Sequence, residues 1–178
     1  MLYNELITNR RIRMNYIKLS PTDESLINDL AALASSIWKE HYDPIIGAEQ
    51  NDYMIEKFQS SAAITEQLTQ GISYYLVCTD DGENAGFIAF YPRGTELYLS
   101  KFYLHSSQRG QGISKQMMNF VINEARKINA LSVTLNVNKQ NSLAIAVYEK
   151  LHFHRIREEK IDIGSGWFMD DYVYEYTL

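Results

Sequence analysis

Between Phe102 and Lys127 the chain passes from strand-forming residues into a helix through Ser107-Gln108-Arg109-Gly110-Gln111-Gly112-Ile113-Ser114-Lys115. This passage constrains the fold more than any other stretch. Glycines at 110 and 112 let backbone come close to a bound group. A helix starting at Gly112 turns its unpaired N–H groups and positive dipole end toward the same place. The arrangement suits a pyrophosphate. A tight strand-to-helix connection asks for the same residues, so the loop alone leaves both readings open. Two phosphate-binding patterns are excluded. The chain contains no G-x-x-x-x-G-K-[ST], and Ser114, Lys115 and Gln116 stand where a dinucleotide fingerprint needs its third glycine.

The hydrophobic periods on either side of the loop set the class. Tyr16 to Leu19 reads as a strand, and Ser20-Pro21-Thr22-Asp23 as a helix start with Pro at or near the first helical position. Leu26, Leu30, Leu33 and Ile37 follow at helical spacing until Pro44 and Gly47 break the pattern. Tyr53, Met54 and Phe58 mark a second helical stretch, and Ile64 and Leu68 a short third one before Gly71. Strands are then expected at Ser73 to Thr79, at Gly86 to Tyr91 (ended by Pro92) and at Glu96 to Leu104. Gly112 to Lys127 presents Ile113, Met117, Val121 and Ala125 on one helical face. Leu131 to Val137 reads as a strand and Ser142 to Lys150 as a helix. His152 to Ile163 and Trp167 to Tyr176 read as two strands joined by Gly164-Ser165-Gly166. The order is β-α-α-β-β-β-α-β-α-β-β, an α/β (α+β) arrangement with a mixed sheet flanked by helices.

Composition excludes whole classes of partner. The 178 residues suit one domain, with 46% hydrophobic and 12% aromatic side chains to build its core. One cysteine excludes a disulfide framework, and Cys78 inside an apolar strand reads as a buried core thiol. Mean hydropathy is −0.30, and no apolar run approaches the roughly 18 residues of a membrane span. With 17 basic against 22 acidic side chains the net charge is −5, which argues against nucleic acid. A cytoplasmic protein with a neutral or cationic partner is expected. Met1 to Arg13 carries Arg10, Arg11 and Arg13 against Glu5 and reads as an extension; the domain, Met14 to Leu178, is then nearer −7.

A second segment sharpens the first. Asn138-Lys139-Gln140-Asn141 leads into Ser142-Leu143-Ala144-Ile145-Ala146-Val147-Tyr148-Glu149-Lys150-Leu151. Asn141 is placed to cap that helix, and Tyr148, two turns on, shares its face. Strand–Q-R-G-Q-G-I-S–helix followed by strand–N-x-x-A-x-x-x-Y-E-K-L-x-F resembles the GNAT superfamily of acetyl-coenzyme A-dependent N-acetyltransferases. The likeness covers Met14 to Leu178 in element order and is most specific from Phe102 to Phe153. The acidic helical region and the Trp/Asp/Tyr-rich last strand look most like the bacterial spermidine/polyamine-type branch.

The resemblance implies a mostly antiparallel GNAT-like sheet and a set of roles. Phe102, Tyr103 and Leu104 would pair with the pantetheine arm and present an amide to the thioester carbonyl. Arg109, Gly110, Gln111, Gly112, Ile113 and Ser114 would hold the pyrophosphate, and Asn141 would bond the pantetheine arm. Tyr148 would lie beside the sulfur as general acid for direct transfer to a primary amine. Two positions depart from the family pattern: Ser107 at the loop start, and His152 where a cap glycine is usual. No metal is implied.

The acceptor side is read from the residues. Glu40, Asp43, Glu49, Asp52 and Glu56 form a stretch without Lys or Arg, interleaved with Trp38, Tyr42 and Tyr53. Acids with aromatics suit a small cationic amine or polyamine, and the same pattern describes a solvated helix face. Asp170-Asp171 could add to such a site. Glu96, on the strand leading to the thioester, is a candidate base alongside a water chain. His41, His105, His152 and His154 form no helical metal pair. A protein N-terminal or lysine acetyltransferase, and a non-catalytic acyl-coenzyme A-binding regulator, are the alternatives. The C-terminal strand edges leave room for a homodimer.

Overall fold

The computed structural model describes residues 13–178, so the expected extension Met1–Arg13 lies, apart from Arg13, outside the described residues. Strand β1 (Met14–Lys18) leads into helices α1 (Glu24–Ile46), α2 (Ala48–Gln59) and α3 (Ser61–Thr69). Strands β2 (Ser73–Thr79), β3 (Asn84–Arg93) and β4 (Glu96–Leu104) follow, then a 3-10 turn at Ser106–Gln108 and helix α4 (Ile113–Lys127). Strand β5 (Ser132–Asn138), helix α5 (Ser142–Lys150) and the hairpin β6 (His154–Gly164) and β7 (Trp167–Thr177) complete the chain. All seven strands form one sheet in the order β1-β2-β3-β4-β5-β7-β6. Every neighbouring pair is antiparallel except β4 and β5.

Each face of the sheet has its own core, because strand side chains alternate and both faces must be covered. On one face α4 inserts Ile113, Met117, Met118, Val121, Ile122 and Ala125 against Leu97, Leu99, Val133 and Leu135. On the other, α1 to α3 bury Ile27, Leu30, Ile37, Trp38, Met54, Ile64 and Leu68 against Leu76, Phe87 and Ala89. Cys78 is buried there; its thiol is pushed up by burial and donates to Asn84 Oδ1 at 3.4 Å, as a core thiol should.

One irregularity decides where a ligand can enter. Ala89 pairs with Lys101 but Phe90 pairs with Leu99, so Ser100 is an extra residue in β4. Such a bulge bends its strand and ends pairing locally. Accordingly, β4 pairs with β5 only from Glu96 to Leu99. Beyond Leu99 the two strands part, and the β5-facing edge of β4 is left without a strand partner.

Three local expectations are corrected. Pro21 is not the first helical residue: Ser20 to Asp23 form a turn, with Asp23 N–H donating to Ser20 O and Ser20 N–H to Asp23 Oδ2. Pro44 does not break α1; it sits in the last turn, and Gly47 ends the helix with φ +84°. Pro92 does not end β3, which runs on to Arg93, because the β3–β4 hairpin holds Pro92 opposite Leu97.

Candidate active site

The parting of β4 and β5 opens a cleft of about 260 Å³. Ser100, Phe102, Tyr103 and Leu104 line it from β4, and Asn136 and Val137 from β5. Helix α1 adds Ile37, His41 and Tyr42; α4 and its loop add Arg109, Gly110, Ile113 and Ser114; α5 and its cap add Asn141, Leu143, Ala144, Val147 and Tyr148. Nine of the eleven residues expected at the site therefore share one cleft.

The other two, Gln111 and Gly112, line a shallow depression beside it with Lys115, Gln116 and Asn119. Gln111 Nε2 donates to Ser107 O at 3.2 Å, so its side chain braces the loop. Gly110 and Gly112 both take left-handed backbone, φ +76° and +75°, which a residue with a Cβ resists. Those angles start α4 with its first N–H groups open, and its first turn holds no acid. A diphosphate fits this cradle on charge and on donors. The apolar walls Leu104, Leu143, Ala144 and Val147 fit a pantetheine arm.

The polar groups within the cleft are coupled. Asn141 caps α5 through its Oδ1, which accepts from Ala144 N–H at 3.1 Å, and its amide also bonds His41 and Tyr42. The Tyr103 and Tyr42 hydroxyls interact with one another. Tyr148 is 8% exposed, packed between the rings of Phe102 and Phe153. Burial first, and the neighbouring Tyr42 second, push its phenol well above the usual tyrosine range. The His41 imidazole is held below its ordinary value by burial, with Arg109 adding to the effect and Asn141 opposing it.

A sheet splayed beside a left-handed glycine cradle, with a buried phenol at the fork, agrees with a family model. The Acetyltransferase (GNAT) domain matches residues 42–169. The chain belongs to the GNAT acetyltransferase family. It is an N-acetyltransferase that draws on acetyl-coenzyme A. Among its relatives is the peptidyl-lysine N-acetyltransferase YjaB of Salmonella typhimurium, 24% identical over 140 residues, covering 78% of this chain and 88% of that one. Among solved structures, the PaiA N-acetyltransferase of Thermoplasma acidophilum, in complex with coenzyme A, superposes with a TM-score of 0.74 at 21% identity. It covers 93% of this chain and 99% of its own. A chimera of the Vibrio cholerae spermidine N-acetyltransferase SpeG and hSSAT superposes with a TM-score of 0.64 at 14% identity, over 92% and 94% of the chains.

In this GNAT enzyme the acidic residues do not lie where the sequence suggested. None of Glu40, Asp43, Glu49, Asp52 or Glu56 lines the cleft. Glu40 accepts from Ser106 Oγ, Asp43 from the buried Asn51 amide, and Asp52 pairs with Lys39 at 3.0 Å, one residue outside the stretch that lacked cations. Glu96 is also displaced from the chemistry. It pairs with Arg93 at 2.5 Å at the start of β4, the opposite end of the strand from Leu104.

A polar seam lies on the sheet face that α1 covers, and Asn136 is its centre. Asn136 Oδ1 accepts from the Tyr98 hydroxyl at 3.2 Å, and Asn136 Nδ2 donates to Glu159 Oε2 at 3.0 Å. Asp171 lies beside it on β7, paired with Asn138 two residues further along β5. Thr134 and Asn136 alternate with apolar Val133, Leu135 and Val137, and that alternation was the signal available in the sequence.

Proposed function

We propose that this acetyltransferase acts on a primary alkylamine that arrives as a cation, a small cationic amine or polyamine. The observation that carries the mechanism is the position of Tyr148: a buried phenol lining the cleft between the rings of Phe102 and Phe153, protonated at neutral pH as any phenol is, with burial raising it further. A phenol in that state can donate its proton to a departing thiolate.

Acetyl-coenzyme A supplies an acyl group on a thioester. Gly110, Gly112 and the start of α4, with Arg109, would hold its diphosphate, and Leu104, Leu143, Ala144, Val147 and Asn141 its pantetheine arm. The unpaired edge of β4 from Ser100 to Leu104 offers backbone to the same arm, and an amide near Leu104 would stabilise the oxyanion. The amine attacks directly, with no acyl-enzyme; buried Cys78 lies on β2, away from the cleft.

The SpeG likeness supports a polyamine acceptor, and the relationship to YjaB supports a second reading, transfer to a peptidyl lysine. Both acceptors present the same alkylammonium. Thiol release from acetyl-coenzyme A, measured over polyamines, amino acids and lysine peptides, separates them. Preference for spermidine over a lysine peptide by tenfold or more in kcat/KM supports the first reading, and the reverse order the second. Coenzyme binding with no thiol release on any of these would place the acceptor outside both classes.

A further inference from the structure

Three carboxylates meet where β7 passes β5 and β6, and two of them have cations. Asp170 pairs with Lys139 at 2.6 Å, and Glu159 with Arg157 at 2.6 Å. The third, Asp171, has no Lys or Arg within ion-pair distance among the described residues, yet it is only 7% exposed. Its side chain lies on the same sheet face as Trp167 and Met169, which pack under α1 and α2, since the three residues alternate along β7. That is also the face of Tyr103. On β7 it pairs with Asn138, two residues along β5 from Asn136, which lines the cleft, so Asp171 lies directly behind that wall of the fork.

The surroundings of Asp171 can be named element by element. Glu159 pairs with it across β6 and Asp170 adjoins it on β7, while the other titratable groups close enough to couple to its charge are Tyr42 on α1, Tyr98 and Tyr103 on β4, and Lys139 in the turn after β5. Five of these six are acids or phenols. Only Lys139 is cationic, and it is already bonded to Glu158 and Asp170. A nearly buried carboxylate in such company is incomplete without either a proton or a visiting cation.

We propose that Asp171 is the carboxylate that receives the acceptor's ammonium group and takes its proton. The inference rests on the amine acetyltransferase reading and adds the missing base to it. The ammonium gives one proton to Asp171 and becomes a neutral amine. Its lone pair forms the C–N bond at the thioester carbonyl, and the C–S bond breaks as the oxyanion collapses. Tyr148 protonates the leaving thiolate and recovers a proton from the attacking nitrogen. Asp171 then releases its proton to solvent, so each turnover yields amide, free thiol and one proton. Burial, with Asp170 and Glu159 adding to it, raises the Asp171 carboxyl to about 6, which keeps it ionised but basic at neutral pH.

Asp171→Asn, compared with wild type and Asp171→Glu, tests the assignment in the full-length chain, with spermidine, a lysine peptide and aniline as acceptors. Expected for Asp171→Asn is a fall of about 100-fold or more in kcat/KM for the two alkylamines. The acidic limb of the wild-type profile near pH 6 should vanish, coenzyme affinity should stay within twofold, and Asp171→Glu should restore the limb. Aniline, which arrives uncharged, should lose less than threefold. An equal loss on aniline, or a limb that survives in Asp171→Asn, overturns the proposal. A readout without turnover distinguishes failure of the base from failure of the amine reading. In the coenzyme A complex, the carboxyl ¹³C titration of Asp171 should move down by about one pH unit or more when spermidine is added. An unmoved titration overturns the proposal even if an acceptor is found, and thiol release confined to non-amine acceptors overturns the amine reading itself.

Discussion

Tyr103, near the free end of β4, and Tyr42, on α1, bring their hydroxyls together at the cleft. The two rings share Trp38 as a neighbour, at 5.1 Å from Tyr42 and 5.6 Å from Tyr103. Burial above all keeps the phenols of Tyr42, Tyr103 and Tyr148 above the usual tyrosine range, and coupling to Tyr42 adds to it at Tyr103 and Tyr148. A fork opened by one bulged residue is thus closed on one side by phenols that hold their protons.

Tyr148→Phe removes the phenol but keeps the ring packed against Phe102 and Phe153. Turnover should fall by about 100-fold or more, the usual worth of a placed general acid, while the acetyl-coenzyme A dissociation constant stays within twofold. Steady-state kinetics beside calorimetric binding checks both. Unchanged turnover would remove Tyr148 from the mechanism.

Gly112→Ala tests the cradle. No atom lies within 4 Å of the Cβ it would add, so sterics with neighbours are not the issue. The cost is the left-handed backbone at φ +75°, which alanine leaves by rotating the first N–H groups of α4. Coenzyme A should bind about fivefold to tenfold more weakly, equivalent to about 1 kcal/mol. Thermal stability should change little if the loop relaxes freely.

The sequence showed the fold where a period or a punctuation mark carried it. Ser73–Thr79, Glu96–Leu104 and Ser142–Lys150 stand as read, because turn residues bound them and their apolar spacing matches one period. Ser100 gave no warning: a serine within a strand carries no mark of being the extra residue that splits β4 from β5. That the Arg109–Ser114 loop and Tyr148 would come together at one cleft was legible because each is built by chain neighbours. The nearness of Asn136 to Asp171 was not, since it joins β5 to β7 and emerges only once the strand order is known. Pro44 misled because a proline in a last helical turn looks, in sequence, the same as a breaker.

His152 occupies the cap position with φ +68°, the left-handed angle that glycine takes without cost. The bonds of that cap are complete: Phe153 N–H reaches Tyr148 O, and His152 N–H reaches Glu149 O, both at 3.0 Å. His152→Gly should therefore relieve backbone strain without losing a hydrogen bond. A stabilisation of about 1 kcal/mol is expected, raising Tm by about 2–4 °C for a chain this size. A lower Tm would mean the imidazole makes a contact worth more than the strain.

Lys101 adjoins the bulge and has no carboxylate within ion-pair distance among the described residues; its Nζ lies 5.8 Å from the Phe58 ring. Burial lowers its pKa from 10.5 to about 8. Below pH 8 the folded and unfolded chains both carry the ammonium, and the folded state bears its full desolvation cost. Between pH 8 and 10.5 the folded state has released the proton while the unfolded state keeps it, so stability gains with rising pH there. Lys101→Met should thus stabilise at pH 7, on the order of 2 kcal/mol once partial exposure is allowed for. That advantage should shrink steadily from pH 8 upward. Urea denaturation of both proteins at pH 7, 8, 9 and 10 measures it as a difference, in which the tyrosine titrations common to both cancel. An advantage that stays constant across this range would mean Lys101 is solvated in the folded protein.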